Sequence, residues 1–178
     1  MTEEEIKIVN KTARSNGVVG KKAILPRYII NHPWMHGCKI LDFGSGPKAI
    51  HTNMLKELGM DVTPYEIGDN KKSDIHIEYK TSEVEAEFGL VFASNVINVQ
   101  PSYAALRETL GMMHAFLKED GICLFNFPSS PRKIKDLTKD MLMEYTMRYF
   151  NCVLVENYNG NIIFSCYKYD KDDVVAKL

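Results

Sequence analysis

At 178 residues, 45% hydrophobic and 25% charged, the chain has the length and apolar content for one domain with a single substantial core. A formal net charge of −1 exerts no global pull toward nucleic acid or an anionic membrane. No apolar run approaches the ~20 residues that span a bilayer, which excludes a helical membrane protein.

The opening Met1-Thr2-Glu3-Glu4-Glu5 is acidic, the opposite of a signal or transit peptide. The four cysteines (Cys38, Cys123, Cys152, Cys166) form no close pair and no zinc spacing, which predicts a reduced, cytoplasmic protein without a structural metal. Cys123 and Cys166 lie in apolar runs that suit small buried thiols. Residues 3–14 predict a helix with Ile6, Val9 and Ala13 on one side, followed by a flexible break at Asn16 to Gly20. Ala23 to Asn31 predicts a second short helix, with Pro26 in its first turn, and His32 to Gly37 a turn. Residues 1–37 thus read as a helical lead-in or lid, 38–169 as the core and 170–178 as a polar tail.

Lys39 to Lys48 then reads as a buried strand, a glycine turn and the start of a helix. Gly44 and Gly46 permit a sharp turn and close approach of a ligand, and Pro47 suits the first helical position. Ile50, Met54, Leu55 and Leu58 recur at helical spacing and Gly59 stops the run. Such a unit places free backbone N–H groups at the mouth of a crevice. The spacing is Asp-x-Gly-x-Gly-x-Lys rather than Gly-x-Gly-x-x-Gly. Asp42 ahead of the glycines would repel a pyrophosphate, yet it suits a ligand with an ammonium group.

Val62 to Glu66 predicts a second strand with Pro64 tolerated at an end or edge. Glu66 falls at its C-terminal end, where a carboxylate accepts a pair of ribose hydroxyls, and Asp69 is its rival. Ser73 to Tyr79 alternates as a third strand, and Phe88 to Ser94 reads as a buried fourth. Ser94, Asn95 and Asn98 follow it, as candidates for the site or as caps of a turn before Pro101. Ser102 to Lys118 is a helix with Ser102 as N-cap, stopped by Glu119-Asp120-Gly121 before a fifth strand over Gly121 to Phe127. Ser130 and Pro131 predict the start of a last helix that buries Ile134, Leu137, Met141, Leu142 and Tyr145. Arg132, Lys133, Lys135 and Lys139 form a modest basic patch there, a solvated face that would also suit a phosphate-bearing acceptor. Cys152 to Glu156 and Ile162 to Tyr169, joined through Asn159-Gly160, predict a terminal hairpin.

Asp42 to Gly46 resembles motif I of the class I S-adenosylmethionine-dependent methyltransferases, and Phe88 to Gln100 resembles their motif IV. An antiparallel hairpin closing a parallel sheet is also a trait of that family, and the parts agree in order across residues 24–169. The resemblance implies an α/β fold: a three-layer Rossmann-like sandwich with a mostly parallel seven-stranded sheet and a C-terminal antiparallel hairpin. It implies S-adenosylmethionine as cofactor, S-adenosylhomocysteine as product, and in-line attack of an acceptor on the sulfonium methyl. On this resemblance Asp42, Phe43, Gly44, Ser45, Gly46, Glu66, Ile67, Ser94 and Asn95 would bind the cofactor. Ser94, Asn95 and Asn98 would face the acceptor, and residues between Glu78 and Ser82 the adenine. Arg27, Tyr28 and His51 are further cofactor candidates, although Arg27 and Tyr28 read first as anchors of their helix.

The chain departs from the family pattern at Lys48, where a third glycine is common, and at Gly89, where an acid is usual. It also resembles small methyltransferase-like proteins of bacteriophages and of bacterial DNA-modification clusters. The acceptor is a small molecule covered by the N-terminal helices or a macromolecule across an open site, nucleic acid included. Two other readings stand beside the enzyme: an inactive cofactor-binding module, and a nucleotide-binding regulator on a parallel sheet.

Overall fold

Buried apolar runs that alternate with amphipathic segments fold as parallel strands joined by crossover helices. A computed structural model shows this architecture and describes residues 1–15, 23–67, 86–127 and 133–169. The helices are α1 (Glu3–Ser15), α2 (Ile24–Ile30), α3 (Ile50–Glu57), α4 (Tyr103–Phe116) and α5 (Lys139–Thr146). The strands are β1 (Ile40–Phe43), β2 (Val62–Tyr65), β3 (Phe88–Ala93), β4 (Leu117–Phe127), β5 (Cys152–Tyr158) and β6 (Asn161–Tyr167). They form one sheet in the order β2-β1-β3-β4-β6-β5. β2, β1, β3 and β4 run parallel, and β6 enters antiparallel between β4 and β5.

The central strands β1 and β3 and the inner part of β4 are apolar on both faces because helices cover both. On one face Ile40, Leu90, Phe92, Leu124 and Ile163 pack with Leu25 and Ile29 of α2 and Leu55 of α3. On the other, Leu41, Val91, Phe125 and Phe164 pack with Leu106, Leu110 and Phe116 of α4 and Leu142 of α5. Phe88 and Leu90 lie on opposite faces because the β3–β4 register shifts between them. Gly89 sits at that irregularity, and a Cβ there would come within 2.6 Å of the Cys38 Cβ. The departure from the expected acid is therefore a packing requirement.

Among the described residues the sheet has six strands, a correction to the seven expected. Tyr65 O and Asp61 O accept from Gly44 and Ile40 N–H, so the alternation turns Pro64 away from β1. Proline thus removes a donor from the outer edge, where a further strand would pair. The strand expected over Ser73 to Tyr79 lies outside the described residues, as do Ser130, Pro131 and the tail.

Three helix boundaries also differ from expectation. α3 begins at Ile50, after a turn through Gly46 to Ala49, so Pro47 precedes the helix. Ile50 and Leu58 are exposed, and the inward face of α3 is Thr52 and Leu55. α4 passes directly into β4, and Gly121 belongs to the strand, where a Cβ would meet Leu117 Cδ1 at 2.7 Å. α5 starts after Thr138, whose hydroxyl accepts from Met141 N–H and caps it, although Ile134 and Leu137 are buried as expected. Ser102 caps α4 as expected, accepting from Ala105 N–H at 3.1 Å. Cys123 and Cys166 are buried opposite each other across β4 and β6, and burial pushes both thiols up. No helix of the described residues is long and apolar enough to cross a membrane.

The hairpin turn is Asn159-Gly160, with φ of 50° and 77°, and Tyr158 pairs with Asn161. These are the angles of a two-residue type I′ turn, which matches strand twist. Gly160→Ala should lower stability by about 1–2 kcal/mol, because a Cβ is strained in the left-handed region. Urea unfolding should show a lower midpoint at an unchanged slope. An unchanged midpoint would contradict the turn assignment.

Candidate functional site

The site is built where β1, β2 and β3 end on the same side of the parallel sheet. Gly44 and Gly46 have φ of 75° and 71°, so both need a residue without a Cβ. At Gly44 a Cβ would also come within 2.6 Å of Val96 Cγ2, so the glycine loop rests on the segment after β3. At Gly46 no described atom lies within 4 Å of such a Cβ, and the loop is open there.

The loop is fastened to the end of β2. Gly44 and Ser45 N–H both donate to Tyr65 O, at 2.9 and 3.0 Å, and the Ser45 hydroxyl donates to it at 3.3 Å. Gly46 N–H donates to Glu66 Oε2 at 2.5 Å, and Ile67 N–H to Glu66 Oε1 at 3.2 Å. The backbone donors expected to be free at the crevice are thus engaged, which corrects that expectation. The physical reason is the buried carboxylate: Glu66 is 4% exposed and takes the amide an anion would otherwise bind. A loop with its amides so occupied, beside a buried acid, is a poor cradle for phosphate and a good one for a cation or for hydroxyls. Burial and then the Glu66 charge push the Tyr65 phenol up to about 12, so it stays protonated.

Asp42 lies on the α3 face of β1, 1% exposed, and Thr52 Oγ1 donates to its Oδ2 at 2.7 Å. The acid therefore ties α3 to β1 beneath the loop. Thr52 was not legible as a partner, its only signal being a hydroxyl on the inward face of α3. Phe43 turns its ring into the core, with centroids 5.0 Å from Tyr65 and 6.0 Å from Phe116, so only its backbone borders the loop. His51 is half-buried in the first turn of α3.

Beyond β3, Asn95 adopts φ 59°, in the left-handed region that asparagine tolerates. Its N–H donates to Asn126 Oδ1 at 2.8 Å, and Asn126 Nδ2 donates to its Oδ1 at 3.0 Å. Asn126 of β4 is 3% exposed and was missed as a site residue, although an amide inside an apolar strand was the available signal. Ser94 Oγ and Asn98 Oδ1 are buried with no hydrogen-bond partner among the described residues. Buried polar atoms are seldom left so. Gln100 holds the far end of the segment, donating to Val96 O and accepting from Thr109. The structure thus brings together Asp42, Gly44, Ser45, Gly46, Glu66, Ile67 and the Ser94–Asn98 segment.

It does not bring Tyr28 to them. The Tyr28 hydroxyl donates to Glu156 of β5, at the opposite edge of the sheet, and its ring stacks on His32 with centroids 4.0 Å apart. Tyr28 anchors α2, as read first. Arg27 is exposed, its Nε donating to Ala23 O at 3.3 Å. Asp69 and Glu78 to Ser82 lie outside the described residues.

No family model matches the chain, and no curated protein matches it. Solved structures do. A TehB-like SAM-dependent methyltransferase from Corynebacterium glutamicum is 18% identical, with TM-score 0.62 over 94% of this chain and 100% of the other. A 1,6-didemethyltoxoflavin-N1-methyltransferase from Burkholderia thailandensis, with bound 1,6-didemethyltoxoflavin and S-adenosylhomocysteine, is 16% identical, with TM-score 0.67 over 90% and 84%. The glycopeptide N-methyltransferase MtfA complexed with S-adenosylhomocysteine is 14% identical, with TM-score 0.58 over 80% and 88%. At such identities the likeness carries the fold alone: this chain has the Rossmann-like fold of class I methyltransferases.

Gly44→Ala should destabilise by about 1–3 kcal/mol from backbone strain, with the Val96 collision in addition. Gly46→Ala, strained but unobstructed, should be the milder of the two. Thermal unfolding of both variants checks the ranking, and equal losses would contradict the Val96 contact.

Proposed function

We propose that this protein is an S-adenosylmethionine-dependent methyltransferase whose cofactor lies between the Gly44–Gly46 turn, Glu66 and the Ser94–Asn98 segment. The observation that carries the reading is the glycine turn fastened to the buried Glu66, an arrangement that suits an uncharged ribose and a cationic ligand end. The orphaned Ser94 Oγ and Asn98 Oδ1 fit it too, since a bound molecule would give them partners. The neighbours' bound S-adenosylhomocysteine agrees with this choice of cofactor.

In this reading Glu66 receives the ribose hydroxyls, a role its bonds to Gly46 and Ile67 N–H allow, because a carboxylate offers about four acceptor sites. Asp42 contributes negative charge beneath the loop toward the ammonium group. Gly46 leaves room for the ligand to pass close to the backbone. Ser94, Asn95 and Asn98 border the acceptor side, with Asn126 holding Asn95 in place.

Held by the Gly44–Gly46 turn, Glu66 and the Ser94–Asn98 segment, the cofactor would supply an electrophilic methyl group for an acceptor's lone pair, with S-adenosylhomocysteine as the product. The chain's part is to position the partners and exclude water. Gly89, one motive for an inactive module, is accounted for by Cys38, and Lys48 is exposed in the turn before α3. A nucleotide polyphosphate would meet the buried Glu66 and a loop whose amides are engaged.

Glu66→Ala and Asp42→Ala should each weaken S-adenosylmethionine binding by about 1.5–3 kcal/mol, roughly ten- to a hundredfold. Calorimetric titration of both folded variants measures this. Unchanged affinity in both would remove the assignment.

A further inference from the structure

The two edges of the sheet are built differently. At the β2 edge Pro64 places its missing donor outward, which discourages further pairing there. The β5 edge carries none of the devices that blunt such edges. Its sequence, Cys-Val-Leu-Val-Glu-Asn-Tyr, has no proline and no lysine, and it pairs with β6 in unbroken register, without a bulge. Its one charged side chain, Glu156, is engaged by the Tyr28 hydroxyl of α2. Among the described residues β6 is the only strand beside it.

The hairpin turn fixes which backbone groups of β5 face outward. Tyr158 and Asn161 flank a two-residue type I′ turn, so they form a hydrogen-bonded pair. Alternation then directs the amides of Glu156 and Leu154 to β6, and those of Val153, Val155 and Asn157 outward. None of these three makes a backbone hydrogen bond to another element among the described residues. An antiparallel partner of the same sequence meets them in one register, centred on Val155. There Val155 opposes Val155 of a second copy, Val153 opposes Asn157, and Leu154 opposes Glu156. This is also the register in which all seven residues of the strand pair. No carboxylate then faces its own copy. Leu154, 37% exposed at the edge, meets Leu154 of the second copy on the diagonal.

We propose that β5 is a dimer interface, at which two copies of this chain pair their β5 strands antiparallel about a two-fold axis at Val155. The contact joins two six-stranded sheets into one. It is isologous and uses up both open edges, so assembly closes at the dimer. A net charge of −1 sets little repulsion against it. β4 and β6 separate this edge from β3, so the crevice of each copy stays open.

The test follows the full chain by sedimentation equilibrium and amide hydrogen exchange over a range of concentrations. A monomer–dimer equilibrium is expected, with exchange at Val153, Val155 and Asn157 slowed only in the dimer. Leu154 and Glu156 amides, bonded to β6, should be protected in both states. Val155→Pro removes only an outward donor and should weaken dimerisation about tenfold or more, because both hydrogen bonds at the axis are lost. Leu154→Glu, at an exposed position opposite Glu156 of the second copy, should weaken it by like-charge repulsion. Thermal unfolding establishes that each variant is folded, and Leu154→Glu decides if Val155→Pro is not. A monomer at every concentration overturns the proposal; slowed exchange at the three outward amides in that monomer would put another segment of the chain on the edge. A dimer that both folded variants leave unchanged, or open-ended growth beyond the dimer, overturns it as well.

Discussion

The end of β2 holds the glycine loop, and the rest of the site follows from that attachment. Tyr65 O takes two loop amides and Glu66 takes the third, so the turn is fixed before any ligand arrives. A hydrogen bond to a buried charge contributes about 1.5–3 kcal/mol, enough to keep Gly44 and Gly46 in the left-handed region. The same bonds determine the chemistry of the crevice. They replace an anion nest with a buried carboxylate, so the loop favours hydroxyls and positive charge over a pyrophosphate.

The second support comes from β3 and β4. Val96 packs beneath Gly44, while the paired amides of Asn95 and Asn126 bind the strand ends together. That pairing requires β4 beside β3, which the parallel order supplies, and β6 seals the far side of β4. Asp42 and Thr52 complete the frame by tying α3 to β1. The Gly44–Val96 and Asn95–Asn126 contacts join elements distant in sequence, so the crevice exists only when β1, β3 and β4 have come together.

Much of this was legible in the chain. Gly44, Gly46, Glu66 and the Asn159-Gly160 turn carry local rules that the structure obeys, because each needs only a backbone angle or a strand end. Ser102 likewise declared itself as a cap. The engaged loop amides were not legible, because their acceptors lie at and just after the end of β2, 20 residues away for both the Ser45–Tyr65 and Gly46–Glu66 pairs. Nor were the Val96 support, the Asn126 amide or the Cys38 contact that demands Gly89, all of which arise from tertiary packing. The start of α5 was misplaced because Ser130-Pro131 and Thr138 both carry start signals, and side-chain capping at Thr138 is what the structure shows.

The most direct measurement is a competition experiment that sets S-adenosylhomocysteine against ATP and NAD on the same purified chain. An acidic crevice with its loop amides engaged should bind S-adenosylhomocysteine in the micromolar range and neither phosphorylated ligand. Binding of ATP or NAD with no binding of S-adenosylhomocysteine would contradict it, and would make the glycine turn a phosphate cradle.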